Sequence, residues 1–145
     1  LTDDADAIAN ALAHAELESF ADREFSTLSS GERQRAWIAL ALAQEAPLLL
    51  LDEPTSHLDV RVAQQILRLL RAQVNAGKTV VCVLHDPNEA AAYADRAMLL
   101  ADGGILAFDR AGRALSPALL ESTYGVAMET VTAPSGATRI FPSPP

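Results

Sequence analysis

The sequence predicts an α/β fold, a parallel sheet with flanking helices, and three observations carry that reading. Leu48 to Leu51 is an unbroken apolar run and Thr79 to Leu84 is a second, rich in β-branched residues, as in strands covered on both faces of a parallel sheet. Between them, Val60 to Asn75 repeats at helical spacing, with Val62, Ile66, Leu69 and Val74 inward and Arg61, Gln65, Arg68 and Arg71 outward. Each apolar run gives way to charge at its carboxyl end, Asp52-Glu53 after the first and His85-Asp86 after the second. Such a strand-helix-strand unit closes by a right-handed parallel crossover. Open α/β sheets take ligands at the carboxyl ends of their strands, so topology alone brings two sets of polar groups to one edge.

Composition narrows the class. A chain of 145 residues is long enough for one compact core and short for two. Half of it is hydrophobic, which marks a globular chain. The formal net charge of −8 argues against a nucleic-acid partner, which needs a broad basic face. A local anion site is still open to it, because helix N-termini and backbone amides need no net positive charge. The single cysteine, Cys82, lies within TVVCVL and reads as a small buried hydrophobe. No apolar run approaches the roughly 18 residues of a membrane span. The acidic start, LTDDADAIAN, opens directly into a helical pattern and is neither a signal nor a transit peptide. The expectation is a cytoplasmic protein whose membrane role, if any, comes through a partner.

The remaining elements follow from local chemistry. Thr2 or Asp3 is placed to cap a helix reaching about Phe20, with Ile8, Leu12 and Ala15 on its apolar face. Ser29 or Ser30 caps a second helix, about Gly31 to Gln44, whose apolar stripe is Trp37, Leu40 and Ala41. Gly77 suits the C-cap of the helix that begins at Val60. Pro87 to Ala94 reads as a short helix. Ala97 to Leu100 and Ile105 to Phe108 read as strands joined through Asp102-Gly103-Gly104. Ser116-Pro117 starts a helix ending near Tyr124-Gly125. Val126 to Val131 and Ala137 to Phe141 form a last hairpin across Pro134-Ser135-Gly136, and Pro142 to Pro145 read as a disordered tail.

Asp52-Glu53 is the strongest local feature. Two adjacent carboxylates at a sheet edge are costly unless a cation or water compensates. Adjacent strand residues point to opposite sides, so one can hold a metal through its water shell while the other deprotonates a water. The same dipeptide also reads as two solvated acids beginning a loop. Ser29-Ser30-Gly31 is an anion-site candidate at a helix start, or simply a good N-cap, and Glu32 behind it would somewhat oppose an anion. His85 at a strand end beside acids can donate to a phosphate. His14, His57 and His85 show no metal-ligand spacing. The GKT of Gly77-Lys78-Thr79 is not a phosphate-binding loop: Ala72 stands where that pattern needs Gly, and a helix precedes and a strand follows.

Taken together, these motifs resemble the ATPase subunit of ATP-binding cassette (ABC) transporters. LSSGE (residues 28–32) looks like that family's signature motif, LLLLDE (48–53) like its Walker B strand, SHLD (56–59) like its D-loop, and His85 like its switch histidine. Softer segments, GERQRAWIALALAQ, VLHDPNEAAAYADRAMLL and YGV, are similar to bacterial importer ATPases for iron-siderophore, haem or cobalamin uptake.

The resemblance implies the C-terminal half of a P-loop NTPase domain, with residues 1–45 a remnant of the helical subdomain and 46–145 part of the RecA-like catalytic subdomain. It implies ATP and Mg²⁺ in the full-length protein, with Asp52 holding the metal and Glu53 as general base. His85 would sense the γ-phosphate. Ser29, Ser30 and Gly31, with Glu32, would contact ATP held by a second copy in a head-to-tail dimer, and Asp59 would couple the two sites. Membrane permease subunits are the other implied partners, at the inner face of the cell membrane.

Ser30 and Glu32 depart from the commonest signature, which has Gly and Gln there. The family's Walker A and Q-loop motifs do not occur in these residues, so the isolated chain is expected to be inactive and to leave an apolar sheet face uncovered. The alternatives are a non-transport ATPase of the same core, serving chromosome maintenance or translation, and a non-enzymatic interaction module.

Overall fold

The computed structural model describes residues 4–134 and 136–144, and the chain divides into two compact units, Leu1–His85 and Asp86–Pro145. In the first unit α1 (Asp4–His14) stops short of the expected Phe20. Glu16 turns left-handed (φ 55°), and the Leu17 amide reaches back to the Leu12 carbonyl at 2.9 Å. Leu17 is thereby buried, ahead of a 3₁₀ turn at Glu18–Phe20. The buried face is Ala11 and Ala15, with Ile8 exposed. The caps expected at Thr2 or Asp3 lie outside the described residues.

Helix α2 (Ser30–Ala43) buries Gly31, Ile38, Ala39 and Leu42. The expected stripe was Trp37, Leu40 and Ala41, yet Trp37 is 57% and Leu40 55% exposed. Residues 36–43 are apolar at every position, so periodicity does not choose a phase. The small faces of Ala11 and Ala15 instead select Ile38 and Leu42 as the residues that pack.

Strand β1 (Leu48–Leu51), helix α3 (Val60–Asn75) and strand β2 (Thr79–Cys82) form the anticipated crossover. The strands pair in parallel with Leu48 opposite Thr79 and Leu51 opposite Cys82. Ladder geometry ends at Cys82, short of the expected Leu84, with one further bond from the Val83 amide to the Leu51 carbonyl. Cys82 is half-buried rather than enclosed.

Leu49, Ile66 and Leu70 share one core with Ala11, Leu17, Ile38 and Leu42. A fully enclosed aliphatic side chain such as Ile66 contributes about 2 kcal/mol by its removal from water. The opposite sheet face is uncovered, as the missing motifs predict and against the two-sided cover that the apolar runs suggest: Leu50 is 69% exposed, beside its exposed register partner Val81. Period-2 alternation sends Leu49 inward and Leu50 outward. Helices α1 and α2 pack into the same core as β1 and α3.

Helix α3 closes with Gly77 left-handed (φ 96°) just past its C-cap Ala76. The next side chain, Lys78, donates from Nζ to the Ala46 carbonyl at 2.9 Å, a tie that locks the entry of β1 to that of β2.

The second unit comprises α4 (Pro87–Tyr93), β3 (Arg96–Ala101), β4 (Gly104–Arg110), α5 (Ala111–Ala114), α6 (Pro117–Tyr124), β5 (Met128–Thr132) and β6 (Thr138–Pro142). The strands form two antiparallel hairpins. Asp102 and Gly103 both have positive φ, as a tight hairpin turn demands. The one-turn α5 had no sequence signal. Leu99, Ala111, Leu115, Leu120 and Ile140 make the core, and Asn88 ties α4 to β6 by two hydrogen bonds with the Ile140 backbone. Pro142, expected in a disordered tail, pairs with Met128, and the Ser143 amide bonds the Ala127 carbonyl. Ser135 of the expected turn and Pro145 of the expected tail lie outside the described residues.

Candidate functional site

The chemistry begins where β1 ends. Leu51 is its last residue, the chain bends through Asp52 and Glu53, and fully buried Pro54 anchors the loop beneath them. Glu53 has φ 46°, a conformation that non-glycine residues seldom adopt. Strand alternation therefore does not separate the two carboxylates. The ladder has already ended, and a left-handed residue re-aims the chain.

Because β1 and β2 are parallel neighbours, the loops after them leave the same edge. His85, three residues beyond β2, places Nε2 at 2.7 Å from Glu53 Oε1. The other carboxylate oxygen accepts from Ser56 Oγ at 3.0 Å. These bonds, Ser56 first and His85 second, hold the Glu53 carboxyl below its ordinary range and keep it ionised. Ser56 was not singled out in the sequence, although a serine three residues on in a turn is placed to reach back to a carboxylate.

A second locus forms around two helix N-termini. Ser29 is the N-cap of α2 and builds a capping box: Ser29 Oγ accepts from the Glu32 amide at 3.3 Å, and the Ser29 amide donates to Glu32 Oε2 at 2.7 Å. The Ser29 amide first, and the Ser29 hydroxyl second, hold the Glu32 carboxyl below its ordinary range. Asp59 caps α3 by accepting from the Val62 amide at 3.0 Å. Ser29, Ser30, Gly31, Glu32 and Asp59 line one open groove of about 430 Å³ together with Arg35 and Arg61, two cations that sequence reading missed. Arg35 is fixed there by bonds from its guanidinium to the Ala15 and Glu16 carbonyls, near the left-handed turn that ends α1.

Seven of the eight expected site residues thus fall into two groups. Glu53 and His85 touch, and Ser29 to Glu32 share a groove with Asp59, with no residue lining both. Asp52 is exposed and joins neither. Among the described residues no cluster of three or more His, Cys, Asp or Glu side chains is arranged to hold a metal. A lone carboxylate fits Mg²⁺ that arrives on phosphate oxygens with most of its water shell, the usual way that ion is held, and does not fit a self-sufficient metal site.

A family model described as ABC transporter matches residues 2–56. The hemin import ATP-binding protein HmuV of Streptomyces coelicolor is 47% identical over 141 residues, which cover 97% of this chain and 50% of that protein. The chain belongs to the ABC ATPase family. Another relative, the ferric enterobactin transport ATP-binding protein FepC of Escherichia coli, is 38% identical over 95% of this chain and 51% of its own length. A solved structure of a metal-chelate type ABC transporter in an inward-facing conformation superposes with TM-score 0.88 at 32% identity, over 95% of this chain and 56% of that one. The chain spans about half the length of the curated relatives it matches. Its α/β architecture is accordingly that of a partial ABC ATPase domain. No helix among the described residues is long and apolar enough to cross a membrane.

Proposed function

We propose that the chain is part of the ATP-hydrolysing subunit of a bacterial importer for haem or an iron-siderophore complex. The observation that carries the reading is the contact of Glu53 with His85 at the sheet edge, where a carboxylate base and a proton-bearing ring meet at the ligand edge of an α/β fold. Support for the cargo class comes from the relatives, whose names specify hemin and ferric enterobactin.

On this reading Glu53 accepts the proton of the attacking water, in the ionised form that Ser56 and His85 maintain. His85 turns from Glu53 to donate to the γ-phosphate. Asp52 would hold Mg²⁺ through water, and the ion when bound supplies Lewis-acid stabilisation of the phosphoryl oxygens. Ser29, Ser30 and Gly31 offer the hydroxyls and amides of the α2 N-terminus to the γ-phosphate of ATP carried by a second, head-to-tail copy, with Glu32 holding that turn in shape. Asp59 links the two sites. Residues 1–45 are assigned to the helical subdomain and 46–145 to the RecA-like one. The subunit acts at the cytoplasmic face of the membrane on permease partners. Residues 1–145 contain no P-loop, and we assign them no turnover by themselves.

The test is Glu53→Gln in the complete gene product. MgATP hydrolysis is expected to fall at least about 100-fold with nucleotide binding retained. Unchanged turnover sinks the assignment, and measurable turnover by the 145-residue polypeptide alone sinks the assignment of inactivity.

A further inference from the structure

We propose that Val62 is a positioning residue: its side chain, closing on Gly31, sets the spacing between the N-termini of α2 and α3, so that Ser29 to Gly31 and Asp59 face their groove as one unit. The inference rests on the nucleotide reading of that groove.

Gly31 is buried in the first turn of α2. Its backbone is not left-handed, unlike that of Gly77 or Gly125, so conformational freedom is not why glycine stands there. Space is. A Cβ added at Gly31 would lie 2.8 Å from Val62 Cγ1 and 3.2 Å from Val62 Cγ2. The nearer gap is about 0.7 Å inside the ~3.5 Å at which carbon-carbon contact becomes favourable.

The valine cannot easily give way. A β-branched side chain in a helix keeps essentially one rotamer, so turning its methyls away from Gly31 would put it in a disfavoured one. Its own amide is held by Asp59 Oδ1 at 3.0 Å, so Val62 belongs to the capped first turn of α3. Gly31 lies inside the capping box closed by Ser29 and Glu32. Two capped turns therefore meet at one apolar point without slack. A displacement imposed on Asp59 is passed through Val62 to the amides of α2, and one imposed on Ser29 or Gly31 is passed back.

Size exchange separates this role from the other reason for a glycine, close approach of the ligand itself. In the complete gene product, Gly31→Ala is expected to raise KM for MgATP about tenfold, measured well below the thermal midpoint. Adding Val62→Ala is expected to bring KM back within about twofold of the unaltered protein, because the new methyl then meets the Cβ of residue 62 at an ordinary 3.5 Å. Val62→Thr, which keeps the shape, is expected to leave KM unchanged. A contact that served folding alone would move the thermal midpoints and leave KM in place, which overturns the proposal. Wild-type KM in Gly31→Ala, or an impairment that persists in the double variant, also overturns it. Absence of MgATP turnover by the unaltered gene product overturns the nucleotide reading and the positioning role with it, while recovery of the thermal midpoint in the double variant would still establish the steric pairing.

Discussion

His85 Nε2 lies 2.7 Å from Glu53 Oε1, joining the loop after β1 to the loop after β2 through two side chains 32 residues apart. Neither side chain is enclosed, so the pair can part without opening the core. A ligand oxygen that competes for His85 would remove one of the two donors holding Glu53 ionised, leaving Ser56 as the other. The pair thus links ligand arrival to the basicity of the carboxylate.

Ser56→Ala should raise the Glu53 pKa toward its ordinary 4.5, and His85→Ala should also raise it, since the Ser56 bond is the first cause of the depression and His85 the next. A carbon-detected NMR titration of the Glu53 carboxyl reads this directly. Because the folded pKa is depressed, the associated stability is fully present above the unfolded value and is lost as pH falls through the folded one. Urea midpoints followed downward from about pH 6 should therefore fall less steeply for Ser56→Ala than for the parent.

Ser29→Ala removes the side-chain half of the capping box at α2, the bond Ser29 Oγ accepts from the Glu32 amide, and should cost about 1 kcal/mol, a fall of roughly 4 °C in thermal midpoint. Glu32→Gln keeps a side chain able to accept from the Ser29 amide but no longer titrates. It should flatten the acid limb of the stability profile that the depressed Glu32 carboxyl creates. An unchanged acid limb would show that the cap is not formed in solution.

Lys78→Met should destabilise the first unit by about 1 to 2 kcal/mol, through loss of the bond to the Ala46 carbonyl. It should leave nucleotide affinity of the complete gene product unchanged, because the GKT it belongs to runs from the end of α3 into the first residue of β2 and is not a phosphate loop. Titration with a fluorescent ATP analogue checks this. A tenfold loss of affinity would reinstate the lysine as a phosphate ligand.

Asn88→Ala removes both side-chain bonds to Ile140 and should cost the second unit about 2 kcal/mol. Hydrogen exchange should speed up at the Ile140 amide and along β5 and β6, with no change in β1 or β2. Equal loosening in both units would show that they do not open independently.

The legible part of this protein lay in patterns that are local by nature. The run Leu48 to Leu51, the 3.6-residue period of α3 and the turn at Asp102-Gly103 each state their structure within a few residues, and each was recovered within about two residues of its expected ends. The capping residue of α2 was equally local, since a serine three positions before a glutamate can satisfy the orphan amides unaided. Helix phase was not local. Every position from 36 to 43 in α2 is apolar, and the residues packed against it, among them Ala11, Ala15, Leu49 and Ile66, decide that Ile38 is buried and Trp37 exposed.

By itself the sequence determined the α/β class, the parallel crossover, the family and the positions of the chemical groups, because these rest on residue type and spacing. Tertiary structure alone decided which of those groups meet. The left-handed turn at Glu53 breaks the strand alternation and brings its carboxylate to His85 and Ser56, and no sequence pattern predicts a positive φ at a glutamate. The need for glycine at residue 31 is likewise a matter of distance to Val62, and distances between helices exist only once the core has packed.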